Sequence, residues 1–147
     1  MHGGLSPSAT LIDEIQQIDR IKEVPLSGPS CDLLWSDPHD DPGWSPSTRG
    51  CGHFFGEDVS EAFHFLNQTT SIVRAHQVVM TGYQLCHKQQ VLTVFSAPNY
   101  CYRLKNMGAA LFLENCDSFR YIQFDGVASN GKMPKNDRPV IFDKYFD

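Results

Sequence analysis

The sequence predicts a mixed α/β (α+β) fold, and two kinds of pattern support this class. Apolar residues recur at helical spacing in two segments, whereas short β-branched and aromatic runs bounded by Gly, Pro and Asn recur in the second half of the chain. We therefore expect one soluble globular unit over residues 1–125. Gly, Asn, Lys, Pro and Asp dominate residues 126–147, which should form a surface tail anchored by Tyr145 and Phe146.

Two segments are expected to form amphipathic helices. Ser6 is a suitable N-cap and Pro7 a suitable first helical residue, so the first helix should run from there to about Ile21. Its apolar face consists of Leu11, Ile15 and Ile18. The second helix should cover residues 57–69, with acidic residues in its first turn. Its apolar face consists of Val59, Phe63 and Leu66.

Several short apolar runs are expected to form strands, and the last four of them should form an antiparallel meander. In chain order they are residues 71–73, 82–87, 91–95, 109–114 and 119–124, with a tight connection at 115–118 before the last. Residues 22–47 are rich in Pro, Ser, Gly and Asp, so we expect mostly loop there. Within that loop, residues 31–35 form a short buried run that ends in a turn-forming triplet at 36–38.

The composition excludes several classes of function. The chain has 12 basic and 17 acidic residues, a net charge of −5 and no basic cluster, so nucleic acid is not expected as a main partner. No apolar run approaches the roughly 20 residues of a membrane helix, so no membrane partner is expected. The N-terminus lacks the pattern of a secretory signal, which predicts a cytoplasmic or nuclear location.

The number and spacing of the cysteines predict that their thiols are reduced. The chain has five of them, an odd number, far apart and without a CxxC pair: Cys31, Cys51, Cys86, Cys101 and Cys116. This pattern predicts neither a disulfide framework nor a zinc knuckle.

Residues suited to chemistry follow two of the expected strands. His76 comes after the first strand and Tyr100 after the third, which places both at a sheet rim. His2 is a metal-capable side chain immediately before two glycines that are free to adopt positive φ. Arg49 lies in a glycine-rich loop, where a guanidinium can bind an oxyanion. Spacing alone leaves simpler alternatives open, because His2 can be a merely exposed terminal residue and Arg49 merely solvated.

Several motifs occur together in a characteristic order. They are HGGLSPS at 2–8, CDLLWSDP at 31–38, STRGCG at 47–52, RAHQ at 74–77 and FSAPNYCYR at 95–103. In order and approximate spacing these motifs resemble the metal-dependent phosphoprotein phosphatases, the PPP superfamily. The resemblance looks closest to the type 2A and type 4 serine/threonine phosphatases, through EVP at 23–25 and a Tyr-Phe near the C-terminus. It implies a metallophosphatase β-sandwich flanked by helices.

The resemblance also implies roles for particular residues. His2 and His76 match the two histidines that bind one metal of a dinuclear pair of manganese, iron or zinc. Arg49 and Tyr100 match two catalytic residues, an arginine that holds the substrate phosphate and a tyrosine beside the cleft. Three further residues would belong to a groove for substrate or inhibitor: Trp35, Val78 and, as an accessible thiol, Cys101. Trp35 can equally be a core residue, the commoner role for a Trp with these neighbours.

This sequence also departs from the family pattern. The motifs GDxHG, GDxVDRG and GNHE, which supply most of the metal ligands in the family, do not occur in it. The chain is therefore expected to be a C-terminal half of the catalytic domain. The loop at 46–52 reads PSTRGCG where the subgroup usually has SPRGAG, and the chain ends in Tyr-Phe-Asp rather than Tyr-Phe-Leu.

The resemblance implies a hydrolase, namely a protein serine/threonine phosphatase. Its substrates would be phosphoserine and phosphothreonine in phosphoproteins, and its partners scaffold or regulatory subunits. Because two imidazoles leave most metal positions to water, we expect this shorter chain to be inactive alone. Because the missing half would leave strand edges and inner sheet faces exposed, we also expect marginal stability. Two alternatives stay open: a non-catalytic fragment that competes for regulatory subunits of a type 2A-like phosphatase, and a mononuclear metal-binding domain with an unrelated role.

Overall fold

The computed structural model describes residues 1–115 and 118–126, which form three α-helices, a 3₁₀ turn and eight strands. The helices are α1 (Ile12–Gln16), α2 (Pro29–Trp35) and α3 (Glu57–Asn67), and a 3₁₀ turn covers Tyr100–Tyr102. The strands are β1 (Asp37–Pro38), β2 (Trp44–Pro46), β3 (His53–Phe55), β4 (Ile72–Arg74), β5 (Tyr83–Cys86), β6 (Val91–Val94), β7 (Gly108–Asn115) and β8 (Ser118–Phe124).

The strands form three small sheets in the order β1-β3-β2, β4-β6-β5 and β7-β8. Pairing is antiparallel in β2–β3, β5–β6 and β7–β8, but β1 is parallel to β3 and β4 is parallel to β6. The expected meander of the last four strands is present as two antiparallel pairs, β5–β6 and β7–β8, but it is wrong as one sheet, because these pairs belong to separate sheets. The short turn after β5 pairs β5 with one edge of β6, and β4 lies parallel to β6 on its other edge.

Strong local patterns predicted their elements well. The strands expected at 71–73, 82–87, 91–95, 109–114 and 119–124 are all present with small shifts of their ends, and the second helix is α3. Two of the three residues expected on its apolar face pack inward, whereas Leu66 is 53% exposed. The connection at 115–118 contains residues outside the described part of the chain.

The first helix differs from its prediction. It covers only Ile12–Gln16, and Ser6 does not cap it. Instead the Ser6 hydroxyl donates a 2.7 Å hydrogen bond to Asp32 Oδ2, and both residues are buried. A partner 26 residues away in sequence thus takes the hydroxyl that the local pattern assigned to a helix N-terminus.

The segment expected to be mostly loop contains regular structure. Pro29 stands at the start of α2, and Gly28 before it has a φ of 86°. The expected turn at 36–38 is wrong as well, because Asp37 and Pro38 form β1 opposite Phe54 and Phe55. The buried run before it was too short to show a helical period, and strand β1 depends on a partner distant in sequence.

The core lies where α3 meets the first two sheets. Its buried members are Leu5, Phe55, Phe63, Ile72 and Val91. Partly buried side chains pack around them, namely those of Ile12, Ile15, Trp44, Val59 and Cys86. Within residues 1–115 and 118–126, no helix is long and apolar enough to cross a membrane. Of the expected C-terminal tail only Gly126 is described, and the predicted anchor at Tyr145 and Phe146 lies outside the described residues.

Candidate active site

The structure brings together the two histidines singled out from the sequence. His2 Nε2 and His76 Nδ1 are 3.2 Å apart, and the two rings meet edge to face at 5.0 Å. The chain terminus is held against β4, because the Met1 amino group donates to the Val73 carbonyl and the Ala75 amide donates to the His2 carbonyl. His2, although exposed, is therefore fixed in position by backbone hydrogen bonds.

The two glycines after His2 are needed for close packing. Neither has a positive φ, so the expected reason for their presence is wrong. A Cβ on Gly3 would lie 2.5 Å from the carbonyl carbon of Leu34, and one on Gly4 would collide with the Phe55 ring. Only glycine lets the strand-like segment after His2 pass this close to α2 and β3.

His76 has a buried nitrogen with an unused lone pair or proton. It follows β4 in a left-handed conformation with a φ of 61°, and its Nε2 is buried without a hydrogen-bond partner in the described part of the chain. Burial, followed by the positive charge of Arg49, lowers the pKa of His76 to about 4. The imidazole is consequently neutral near neutral pH, which is the form that binds metals.

His2 is shifted in the same direction. Partial burial lowers its pKa, and the positive charges of Arg74 and of the chain's own amino group add to the effect. The site therefore presents two neutral imidazoles side by side, one with an unsatisfied buried nitrogen. This donor set fits manganese, iron or zinc as part of a ligand shell.

The ligand shell is incomplete within the described residues. In residues 1–115 and 118–126, no group of three or more His, Cys, Asp or Glu side chains is arranged to hold a metal ion. Two imidazoles alone leave the remaining coordination positions to water or to groups from elsewhere.

Arg49 is held beside the histidines by a buried carboxylate. Its Nε donates to Asp37 Oδ2 at 2.7 Å, while Arg74 Nη2 donates to Asp37 Oδ1 at 2.6 Å. The side chains of Asp37 and Arg74 are 2% and 0% exposed, whereas that of Arg49 is 25% exposed. Arg49 therefore keeps access to solvent while Asp37 fixes its orientation, an arrangement suited to binding a phosphoryl oxygen.

Asp37 and Arg74 form a buried ion pair next to Arg49, and the sequence motifs did not predict this pair as part of the site. Arg74 also donates to the Gly3 carbonyl at 2.5 Å and to Gln77 Oε1 at 2.7 Å. Its buried position has a local signal, because Arg74 lies two residues after buried Ile72 on the same face of β4. Asp37 had no such signal, since its triplet is typical of a turn.

The structure also describes the other four predicted residues. The Trp35 ring contacts His76 edge to face at 5.2 Å, so Trp35 borders the histidine pair. Val78 is 39% exposed and Cys101 is exposed. Tyr100 lies in the 3₁₀ turn, with its ring 5.1 Å from that of Phe95 and its amide bonded to Asn106 Oδ1. The groove role of Trp35, Val78 and Cys101 and the catalytic role of Tyr100 stay predictions.

Comparison with known proteins assigns a family. The model of the calcineurin-like phosphoesterases matches residues 1–80, more than half of the chain. The chain therefore belongs to the calcineurin-like phosphoesterase family, whose members are metal-dependent, and its mixed α/β architecture is a metallophosphatase fold.

A solved structure gives a more particular likeness. The chain is similar to a protein serine/threonine phosphatase from Saccharomyces cerevisiae described as having similarity to human phosphatase PP5. The two are 35% identical with a TM-score of 0.78, and the match covers 92% of this chain and 45% of the other. This chain thus spans less than half the length of that relative.

Proposed function

We propose that this chain is the C-terminal half of the catalytic domain of a metal-dependent serine/threonine protein phosphatase of the type 2A or type 4 subgroup. The observation that carries the proposal is the pair formed by His2 and His76, with Arg49 close enough to lower the pKa of His76. The yeast phosphatase supports it, since the match takes in nearly all of this chain but 45% of that protein. The substrates would be phosphoserine and phosphothreonine in phosphoproteins.

Each residue has a defined part in this proposal. His2 and His76 supply two imidazole ligands to one of two divalent metals, manganese, iron or zinc, and Arg49, oriented by Asp37, binds phosphoryl oxygens. When bound, such metals polarise the phosphoryl group and lower the pKa of water for attack at phosphorus. The partly exposed Arg49 guanidinium would stabilise the negative charge that the phosphoryl oxygens carry during that attack.

The ligand shell also implies that the 147-residue chain is inactive alone. Two imidazoles hold a metal far more weakly than a full shell with a bridging carboxylate does. The test is hydrolysis of a phosphothreonine peptide with added Mn²⁺, with metal content measured on the same sample. We expect no turnover above that of a His76→Ala variant. Turnover in the ordinary enzyme range of about 1–10³ s⁻¹ that is lost in His76→Ala would refute inactivity.

The metal role of the histidine pair can be tested separately from activity. Substoichiometric Mn²⁺ should broaden the imidazole NMR signals of His2 and His76 before those of other histidines. A His76→Ala variant should lose the effect at His2, whereas His39→Ala should keep it, because His39 is a surface residue paired with Asp41. Equal broadening of all histidine signals would overturn the proposed site.

The incomplete shell within the described residues favours a second candidate function. In this alternative the chain is a non-catalytic product that competes for scaffold or regulatory subunits of a type 2A-like phosphatase. Stable co-purification of the intact 147-residue chain with such a subunit would support it. Failure to displace a full-length catalytic subunit in competition would exclude it.

A further inference from the structure

Two of the cysteines lie near each other beside the candidate site. Cys31 is in α2 and is 1% exposed, and the neighbouring Cys51 thiol is one of the groups that raise its pKa. Cys51 is half-buried and lies two residues after Arg49, in the segment that we call the arginine loop, residues 47–52. The two thiols are therefore neighbours, although they belong to segments 20 residues apart in sequence.

Three further contacts hold these two segments together. The ring of His53 is bonded to Asp32, Nδ1 to Oδ1 at 3.1 Å, and its amide donates to Ser36 Oγ at 3.0 Å. Gly52 lies so close to α2 that a Cβ on it would be 2.8 Å from the Trp35 carbonyl carbon. Neighbours of both cysteines are therefore fixed against each other, which holds the arginine loop on α2 and keeps the two thiols near each other.

We infer that Cys31 and Cys51 are a thiol modification site, at which a peroxide closes a reversible disulfide between α2 and the arginine loop. This inference does not depend on the proposed phosphatase activity. The proposed bond also differs from a permanent structural disulfide, because Cys31 and Cys51 are both free cysteines in the structure.

The chemistry proceeds in two balanced steps. Cys51, the more exposed thiol, attacks hydrogen peroxide as the thiolate, so the O–O bond breaks and a sulfenic acid and water form. Cys31 then attacks the sulfenic sulfur, the S–O bond breaks, and the oxygen leaves as water with the Cys31 proton. In total the two thiols lose two electrons and two protons, and the peroxide is reduced to two waters.

The environment of each thiol supports this order of attack. Burial, the neighbouring Cys51 and the nearby Asp32 raise the pKa of Cys31, so Cys31 stays protonated and reacts second. Cys51 is flanked by Gly50 and Gly52 with φ values of 82° and 71°. Glycine on both sides gives the backbone at Cys51 freedom to bring the sulfurs to the bonded distance of about 2.05 Å.

The disulfide would act on the residue that we assign to phosphate binding. Arg49 is separated from Cys51 only by Gly50, and its amide donates to Ser47 Oγ within the same loop. A covalent link from this loop to α2 restrains the backbone that carries the guanidinium. The oxidation state of the pair would therefore set the freedom of Arg49.

The experiment uses the reduced full chain, treated with hydrogen peroxide, unfolded, alkylated and analysed by intact mass and peptide mapping. We expect two of the five thiols to become inaccessible, a mass lower by two hydrogens, and one cross-linked peptide joining Cys31 to Cys51. Dithiothreitol should restore both thiols. Cys86→Ser and Cys101→Ser variants should form the same link, whereas Cys51→Ala should not.

Several outcomes would overturn the inference. Alkylation of Cys31 as fast after peroxide treatment as before would do so, as would a disulfide that joins a different pair. Conversion of Cys51 to the sulfinic acid with no cross-link would also contradict it, because the neighbouring thiol should intercept the sulfenic acid first. The wild-type peptide map decides these cases even where a cysteine variant fails to fold.

Discussion

The buried carboxylate of Asp37 should contribute more to stability than any other charged group of the site. It accepts hydrogen bonds from Arg49 and Arg74, and the Arg74 side chain is fully buried. Replacing Asp37 with Asn keeps the shape but removes the negative charge, which leaves the Arg74 guanidinium buried without its counter-ion. Breaking a buried pair in this way costs about 3–5 kcal/mol. We expect this loss of unfolding free energy, a large share of the roughly 5–15 kcal/mol of a typical domain.

The control is Arg49→Met. The Arg49 side chain is 25% exposed, and its loss leaves Asp37 still paired with Arg74, so the cost should be about 1–2 kcal/mol. Both variants can be measured by urea unfolding followed through the fluorescence of Trp35 and Trp44. A cost below about 1 kcal/mol for Asp37→Asn, or an equal cost for Arg49→Met, would show that Asp37 is not the essential counter-ion of buried Arg74.

Two further predictions concern packing, and both use the same urea assay. Phe55→Ala should cost about 3–5 kcal/mol because Phe55 is 0% exposed, whereas Phe65→Ala should stay within about 0.5 kcal/mol because Phe65 is 84% exposed. Equal costs would mean that the core is placed wrongly. Gly3→Ala should cost about 1–3 kcal/mol, since its Cβ would lie 2.5 Å from Leu34 backbone, while Gly126→Ala, with 3.4 Å of space, should be nearly neutral. Unchanged stability of Gly3→Ala would contradict the close packing.

The elements predicted well share one property. Helix α3 has an apolar face at helical spacing, and strands β4 to β8 consist of short β-branched, aromatic or apolar runs, so the local sequence alone carries their signal. The beginning of α1, the whole of α2 and strand β1 lacked that property. Ser6 looked like a helix cap, yet its hydroxyl bonds Asp32, and Asp37 looked like part of a turn, yet it pairs with Phe54. Tertiary partners outcompeted the local preference in each case.

The candidate site also combines residues that sequence motifs predicted with contacts that only the folded chain reveals. Motifs in the sequence singled out His2, His76 and Arg49, and the fold places these three residues in one region. Motifs could not reveal that Asp37 joins Arg49 to Arg74, because this ion cluster exists only when β1 and β4 are brought together. Nor could spacing pair Cys31 with Cys51, which meet only where the arginine loop packs on α2.

By itself, the sequence determined the class of fold, most of the regular elements and the residues suited to metal and phosphate chemistry, because periodicity and motif order are local properties of the chain. Only the tertiary structure decided the parallel pairing of β4 with β6, the burial of the carboxylate between two guanidinium groups and the proximity of the two thiols. These features depend on contacts between segments far apart in sequence, whose energies are set by burial and geometry that no local pattern encodes.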